Sequence, residues 1–243
     1  MAKRALVAGA TGLVGGLLLD DLLQDDGYGE VRALVRQPLG RSHAKLVEIV
    51  ADFDRLDESA ARFDVDDVFC CLGTTIKTAG SAAAFRKVDH DYVTSLARLS
   101  RAAGAQRFFL VSSVGADPGV SNLYLSVKGE AEASVAACGF PTLHVFRPGL
   151  LLGPRQEYRL GERAASVVLP LVTPLLAGSL RRYRPIHVRT VAAAMLAAAL
   201  RDEAELAAPP AAARRLVGRR QERAFLLQQV EQAAQGRGGL RMH

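Results

Sequence analysis

The stretch "RALVAGATGLVGGLLLDDLLQD" (residues 4–25) decides the fold. An apolar β run, 4–10, leads into glycines at 9, 12 and 15, and leucines at helical spacing carry the pattern on over 11–25. Glycine suits a turn that takes positive φ or lets backbone approach a pyrophosphate, and the free N–H groups of a helix start then meet the anion. Such a triplet alone is a weak signal. Set between a first strand and a first helix, it has the context that dinucleotide binding demands, with a ligand-free tight turn as the other reading.

Working outward, strand-like and helix-like segments alternate. Further strands are expected at 31–36, 45–52, 65–73, 106–113 and 141–149, with helices at 55–63, 81–103 and 124–137. In the helix 81–103, Val88, Tyr92, Leu96 and Leu99 recur at three or four residues. Short apolar strands separated by helices imply parallel pairing with both faces covered, a doubly wound α/β sheet. Beyond about 151 the rhythm loosens into a small substrate-side segment. A polar stretch (153–163) precedes an apolar run, then "RPIHV" (184–188) and an alanine-rich helix at 190–201. "AAPPAAA" (207–213) breaks the chain, dividing a domain at 1–206 from a tail at 207–243 in which 214–235 could form a last helix.

The chain has 243 residues, enough for one large core, and its hydrophobic fraction of 49% marks a folded protein. No basic stretch followed by an apolar run opens it, so a secretory signal is not expected. The uncharged run 164–180 is interrupted by Pro170 and Pro174 and is too short for a bilayer, so no membrane span is expected. Three cysteines, Cys70, Cys71 and Cys138, make neither a disulfide framework nor a metal site, and a reducing cytoplasm fits best. The formal charge of +6 invites a nucleic-acid reading, but seven arginines against two glutamates after Ala207 supply nearly all of it. The body is almost neutral. No nucleic-acid partner is expected, and the tail reads as a solvated or disordered charge run.

The identity of the dinucleotide turns on the second strand. An NAD site usually offers Asp or Glu at its end for the ribose 2′-OH, whereas this strand ends in "LVRQ" with Arg36 in that place. A guanidinium can hold a 2′-phosphate through two hydrogen bonds, so NADP(H) is favoured over NAD(H). Arg41 could assist, though no spacing fixes its position.

"YLSVKGEAE" (124–132) puts Tyr124 one helical turn before Lys128, on one face. A free phenol titrates near 10, and a neighbouring ammonium with a positively charged nicotinamide ring favours the phenolate. "FLVSS" delivers Ser112 and Ser113 at the end of the fifth strand, where open α/β sheets bind ligands, so a serine can hold the substrate oxygen beside the phenol.

Glycine turn, Ser-Ser strand end and Tyr-x-x-x-Lys together resemble the short-chain dehydrogenase/reductase superfamily, with its NAD(P)-binding Rossmann fold. Over about residues 4–200, "FCCLGTT", "VDHDYV", "SSVGAD", "YLSVKGEAE", "FRPGLLLGPRQEYRLGE" and "AAAML" look like one atypical branch, the Tat-interactive-protein-like oxidoreductases. The resemblance implies NADPH binding and a tyrosine-centred site. On matching positions it implies Thr11, Gly12, Leu13 and Val14 at the phosphates, beside Gly9 and Gly15 of the turn. Arg36 with Gln37 would lie near the adenosine phosphate, Asp52 near the adenine, and Leu72 and Gly73 beside the cofactor. Ser113 aligns best with the family serine, Ser112 being the fallback. Tyr124 would be the acid/base, Lys128 would bind the nicotinamide ribose, and Leu151 and Arg159 match positions that touch cofactor in relatives. Gln37 departs from a second arginine of the animal relative, and the tail matches nothing in the family.

Other residues have plain readings. Cys70 and Cys71 suit core packing in a buried strand, His90 a helix surface, and His187 a cap or packing position near the cleft mouth, with a substrate contact as its other reading. Asp89 is either a cofactor-bordering or a helix-surface residue, and 166–176 either lines a small substrate pocket or forms core or dimer surface, which leaves room for a homodimer. The leading function is an NADPH-dependent reductase of a small carbonyl compound. A regulatory protein that binds NADP(H) without turnover is the alternative, while sugar-nucleotide epimerisation calls for a larger substrate domain than the residues after 151 provide.

Overall fold

The computed structural model describes residues 2–153 and 185–206. Expectations for the polar stretch from 154, the apolar run, Arg159 and the tail lie outside these residues.

Six strands form one parallel sheet in the order β3-β2-β1-β4-β5-β6. They are β1 (Lys3–Ala8), β2 (Tyr28–Val35), β3 (Leu46–Val50), β4 (Asp67–Cys70), β5 (Arg107–Val111) and β6 (Thr142–Phe146). The connections are α1 (Leu13–Gln24), a 3-10 helix (Phe53–Arg62), the short α2 (Ile76–Ala79) and α3 (Ala82–Arg86), a π turn (Lys87–Asp91), α4 (Tyr92–Ala102) and α5 (Leu123–Ala137). After β6 come β7 (Leu151–Leu152) and β8 (Ile186–His187), paired as a two-stranded sheet, and α6 (Val188–Leu206). This is the doubly wound Rossmann architecture expected from the alternation.

Each face of the sheet has its own core. Leu18, Leu19 and Leu22 of α1 and Val191 and Met195 of α6 pack against Val7, Phe69 and Phe109 on one side. Leu6, Val68, Phe108 and Leu110 meet Val93 and Leu96 of α4 and Ala131 and Val135 of α5 on the other. Fully burying each such valine, leucine, methionine or phenylalanine side chain stabilises the fold by about 2 kcal/mol. At the opposite edge of the sheet from the strand ends, Asp67 is wholly buried, taking hydrogen bonds from Arg107 Nε at 2.6 Å and Tyr28 Oη at 2.5 Å. Arg107 also reaches the carbonyl of Ala199 at 2.7 Å, tying β4, β5 and β2 to α6.

Three expectations need correction. The strand at 65–73 ends at Cys70, and Cys71, half-buried, continues the pairing only through its N–H to the Ala8 carbonyl at 2.8 Å. The buried stripe of the helix 81–103 is Phe85, Asp89, Val93, Leu96, Ala97, Leu99 and Ser100, so Val88 and Tyr92 only flank it. The reason is the π turn, in which Tyr92 N–H reaches the Lys87 carbonyl five residues back and the helical register shifts. The alanine-rich helix runs to Leu206 and begins at Val188, where Nδ1 of His187 accepts the N–H of Arg189 at 3.3 Å.

Candidate dinucleotide site

The chain leaves β1 through Gly9, whose φ of 84° only glycine adopts freely. A Cβ there would come 2.5 Å from the Cys71 carbonyl oxygen, and one on Gly15 would come 2.2 Å from that of Gly9. Backbone therefore fills the space where side chains would sit. Asp52, Thr75, Ser81 and Asn122 cap the 3-10 helix, α2, α3 and α5 with their side chains, whereas α1 starts at Gly12 without one. Its first turn also holds no acidic residue. Uncapped N–H groups at a helix start, beside exposed Thr11 and Gly12, half-buried Leu13 and buried Val14, suit a pyrophosphate. The neighbouring order β1-β4 is where the chain switches direction across the sheet, the usual seat of a dinucleotide.

The other candidates follow the carboxyl ends of the strands in turn. Arg36 and Gln37 come after β2, both exposed, and the Arg36 guanidinium makes no hydrogen bond or ion pair with a described residue. Arg41, by contrast, is paired with Asp20 at 2.5 Å across α1 and lines a cavity of about 290 Å³ with Gly12 and Leu13. Asp52, after β3, is exposed and spends Oδ1 on the N–H of Asp54 at 2.9 Å. Leu72 and Gly73 follow β4, and a Cβ on Gly73 would lie 3.3 Å from Lys128 Nζ. Leu151 opens β7, pairing with Ile186.

Both serines follow β5. Ser112 N–H bonds the Phe146 carbonyl at 2.7 Å, so the alternation that sends Phe108 and Leu110 toward α5 carries Ser112 to that face as well. Its hydroxyl is buried without a partner among the described residues. Ser113 is half-buried, with only a long contact of 3.4 Å to the Val114 carbonyl.

Helix α5 starts where Asn122 Oδ1 accepts the Leu125 N–H at 3.1 Å, which places Tyr124 in its first turn and Lys128 one turn later. The Tyr124 ring stacks on buried Phe85, centroids 5.5 Å apart, and its hydroxyl has no hydrogen-bond partner among the described residues. Lys128 is 6% exposed, and its ammonium lies 2.8 Å from Oδ1 of Asp89, a wholly buried carboxylate. Asp89 Oδ2 accepts the Thr74 N–H at 2.8 Å. Burial raises Asp89 above the usual carboxylate range, and Lys128 and the Thr74 N–H oppose that rise. The helix-surface reading of Asp89 is therefore overturned, because a buried ammonium demands a partner and this carboxylate is it. Burial also pushes the Cys70 thiol up to about 11 and Cys71 higher still, so both stay protonated and inert. His90 sits less openly than expected, its ring within 3.1 Å of Ser134 Oγ on α5. Among the described residues no cluster of His, Cys, Asp and Glu could hold a metal ion.

The sequence had not pointed to Phe85 at all. Its signal was present in "FRKVD", where an aromatic and an aspartate four apart fall on the buried stripe.

Fold, uncapped glycine turn and buried Lys128 define an NAD(P)-binding protein of short-chain dehydrogenase/reductase type. The chain belongs to the NAD(P)H-binding family, whose model matches residues 9–173, and within it to an atypical branch of that superfamily. It is 45% identical over 164 residues to Protein HTATIP2 of Rattus norvegicus, covering 66% of this chain and 67% of that protein. It is 34% identical over 181 residues to "Protein FMP52, mitochondrial" of Coccidioides immitis, covering 69% and 73%. Among solved structures, the UDP-glucose 4-epimerase of Thermotoga maritima with UDP-glucose shares the fold at a TM-score of 0.59 and 18% identity, over 80% of this chain and 72% of that one. MoeE5 in complex with UDP-glucose and NAD does so at 0.57 and 20%, over 79% and 70%.

Proposed function

We propose that this protein is an NADPH-dependent oxidoreductase acting on a small carbonyl compound. The observation that carries the reading is the Tyr124–Lys128 turn of α5, set beside the loop that leaves β4 next to the glycine turn. The nicotinamide, when bound, supplies the hydride. Tyr124 gives the proton to the carbonyl oxygen, and its hydroxyl, without a partner among the described residues, is available for that contact. A serine hydroxyl at the end of β5, Ser113 with Ser112 as its neighbour, holds the same oxygen. Lys128 orients the nicotinamide ribose, and its buried ammonium favours negative charge on the phenol oxygen.

Preference for the 2′-phosphate is assigned to Arg36, an exposed residue at the end of β2 with no hydrogen bond or ion pair to a described residue. Residues 1–206 are read as the working domain. The three free thiols suit a reducing compartment, and we assign the protein to the cytoplasm on that ground.

NADPH oxidation followed optically across a panel of aldehydes and ketones tests the proposal. Turnover of at least one carbonyl is expected. Tight NADPH binding with zero turnover across the panel would transfer the protein to the regulatory class, a holder of NADP(H) that does no chemistry.

A further inference from the structure

Large aliphatic side chains that stay in water in one region, rather than scattered singly, mark a surface meant to be covered. Among the described residues Val50, Ile76, Val120, Leu123, Leu150 and Leu152 stand exposed. None of them lies at the amino end of a strand. Val50 is the last residue of β3, on the half of the sheet assigned to the adenosine. The other five follow β4, β5 and β6, beyond the switch point between β1 and β4.

Hydrogen bonds draw these segments together. Val114 N–H, after β5, bonds the Pro148 carbonyl, after β6, at 2.9 Å, and Asp117 N–H bonds the Leu125 carbonyl of α5 at 3.2 Å. Thr74, two residues before Ile76, gives its N–H to Asp89 at 2.8 Å, and Asp89 holds Lys128 of α5 at 2.8 Å. The five side chains therefore stand on segments gathered around the first turns of α5, where Leu123 directly precedes Tyr124.

Charge is scarce there. Residues 71–79, 112–123 and 147–153 carry three charged side chains, and two of those are engaged. Arg147 Nε bonds Glu132 at 2.8 Å, and Asp117 Oδ1 accepts the Gly119 N–H at 2.8 Å, which leaves the exposed Lys77. Thr75 and Asn122 spend their side-chain oxygens on helix caps, taking the N–H groups of Thr78 and Leu125 at 3.1 Å each. A phosphorylated or polyhydroxylated substrate finds few partners on such a rim, whereas an alkyl chain finds aliphatic surface on three sides.

We propose that the substrate's carbonyl ends an aliphatic chain, and that Ile76, Val120, Leu123, Leu150 and Leu152 set this specificity by covering the chain. The inference rests on the proposed function and names the substrate class of the same site. Each methylene that leaves water for apolar surface strengthens binding, by about twofold where the chain is only half covered.

Reduction of straight-chain aldehydes from propanal to octanal, followed through NADPH oxidation, tests this. Each aldehyde takes up a hydride and a proton and leaves as the primary alcohol, as NADPH becomes NADP+. kcat/KM should rise about twofold per methylene, about thirtyfold over the series, and glyceraldehyde should fall below propanal. Leu123→Gln and Leu150→Gln should flatten the rise while NADPH affinity and the propanal rate stay as they are. A kcat/KM indifferent to chain length, or an unaltered rise in both variants, would overturn the inference. Binding of propanamide and octanamide, which NADPH does not reduce, is read in parallel by the fluorescence of the bound nucleotide. Tighter octanamide binding with no aldehyde turned over would keep the apolar site and overturn the reductase reading beneath it. Equal binding of the two amides beside active turnover would overturn the inference alone, and neither binding nor turnover would overturn both.

Discussion

At the scale of single residues, charge and burial decide roles. Arg36 rests on a missing acid at the end of a second strand, which is a statement about the ribose, and the structure leaves the residue exposed. Arg36→Ala should weaken NADPH about tenfold, the worth of a charge-assisted hydrogen bond, and leave NADH nearly untouched. Titrating both nucleotides checks it; equal losses would show that Arg36 does not read the phosphate. Asp89 was only half legible. A lone aspartate in a helix is ordinarily on its surface, and its four-residue spacing from Phe85 points inward only once Phe85 is known to be buried. Phe85 stayed hidden for a related reason, since one phenylalanine in an apolar stripe looks like any other until its neighbour is known.

At the scale of elements, the strand–turn–helix at 4–25 carried the fold because its constraints are local. Gly9 needs a positive φ and Gly15 a bare Cα, and both demands leave a mark in the sequence. Gly15→Ala would force a Cβ to within 2.2 Å of the Gly9 carbonyl oxygen, so the turn must open. The expected outcome is a loss of about 1–3 kcal/mol in stability, the usual cost of overpacking, together with loss of nucleotide binding. Chemical denaturation and NADPH titration read the two effects. Retention of both would mean that the turn is softer than its contacts indicate. The serines show the opposite case. Sequence brought Ser112 and Ser113 to the end of β5, but which hydroxyl faces α5 depends on how far pairing with β6 persists. That is a tertiary fact.

At the scale of the whole molecule, the working edge and the stabilising edge of the sheet are separate. The glycine turn, Arg36, Asp52, Leu72, Gly73 and both serines follow the carboxyl ends of strands, while Asp67, Tyr28 and Arg107 hold the other edge together. Arg107→Met removes the main partner of a buried carboxylate and should cost about 3 kcal/mol, while NADPH affinity of the folded protein stays the same. Urea unfolding beside nucleotide titration checks the division, and an equal fall in affinity would mean the two edges are coupled. Alternation of strands and helices made the sheet readable from sequence, because burial on both faces forces continuous apolar runs. The central claim remains the chemistry at α5. Its most direct test is the rate of NADPH-dependent carbonyl reduction by Tyr124→Phe, measured with NADPH affinity on the same samples. Turnover at least ~100-fold below wild type at unchanged affinity is predicted, the usual worth of a positioned acid; undiminished turnover would contradict the account.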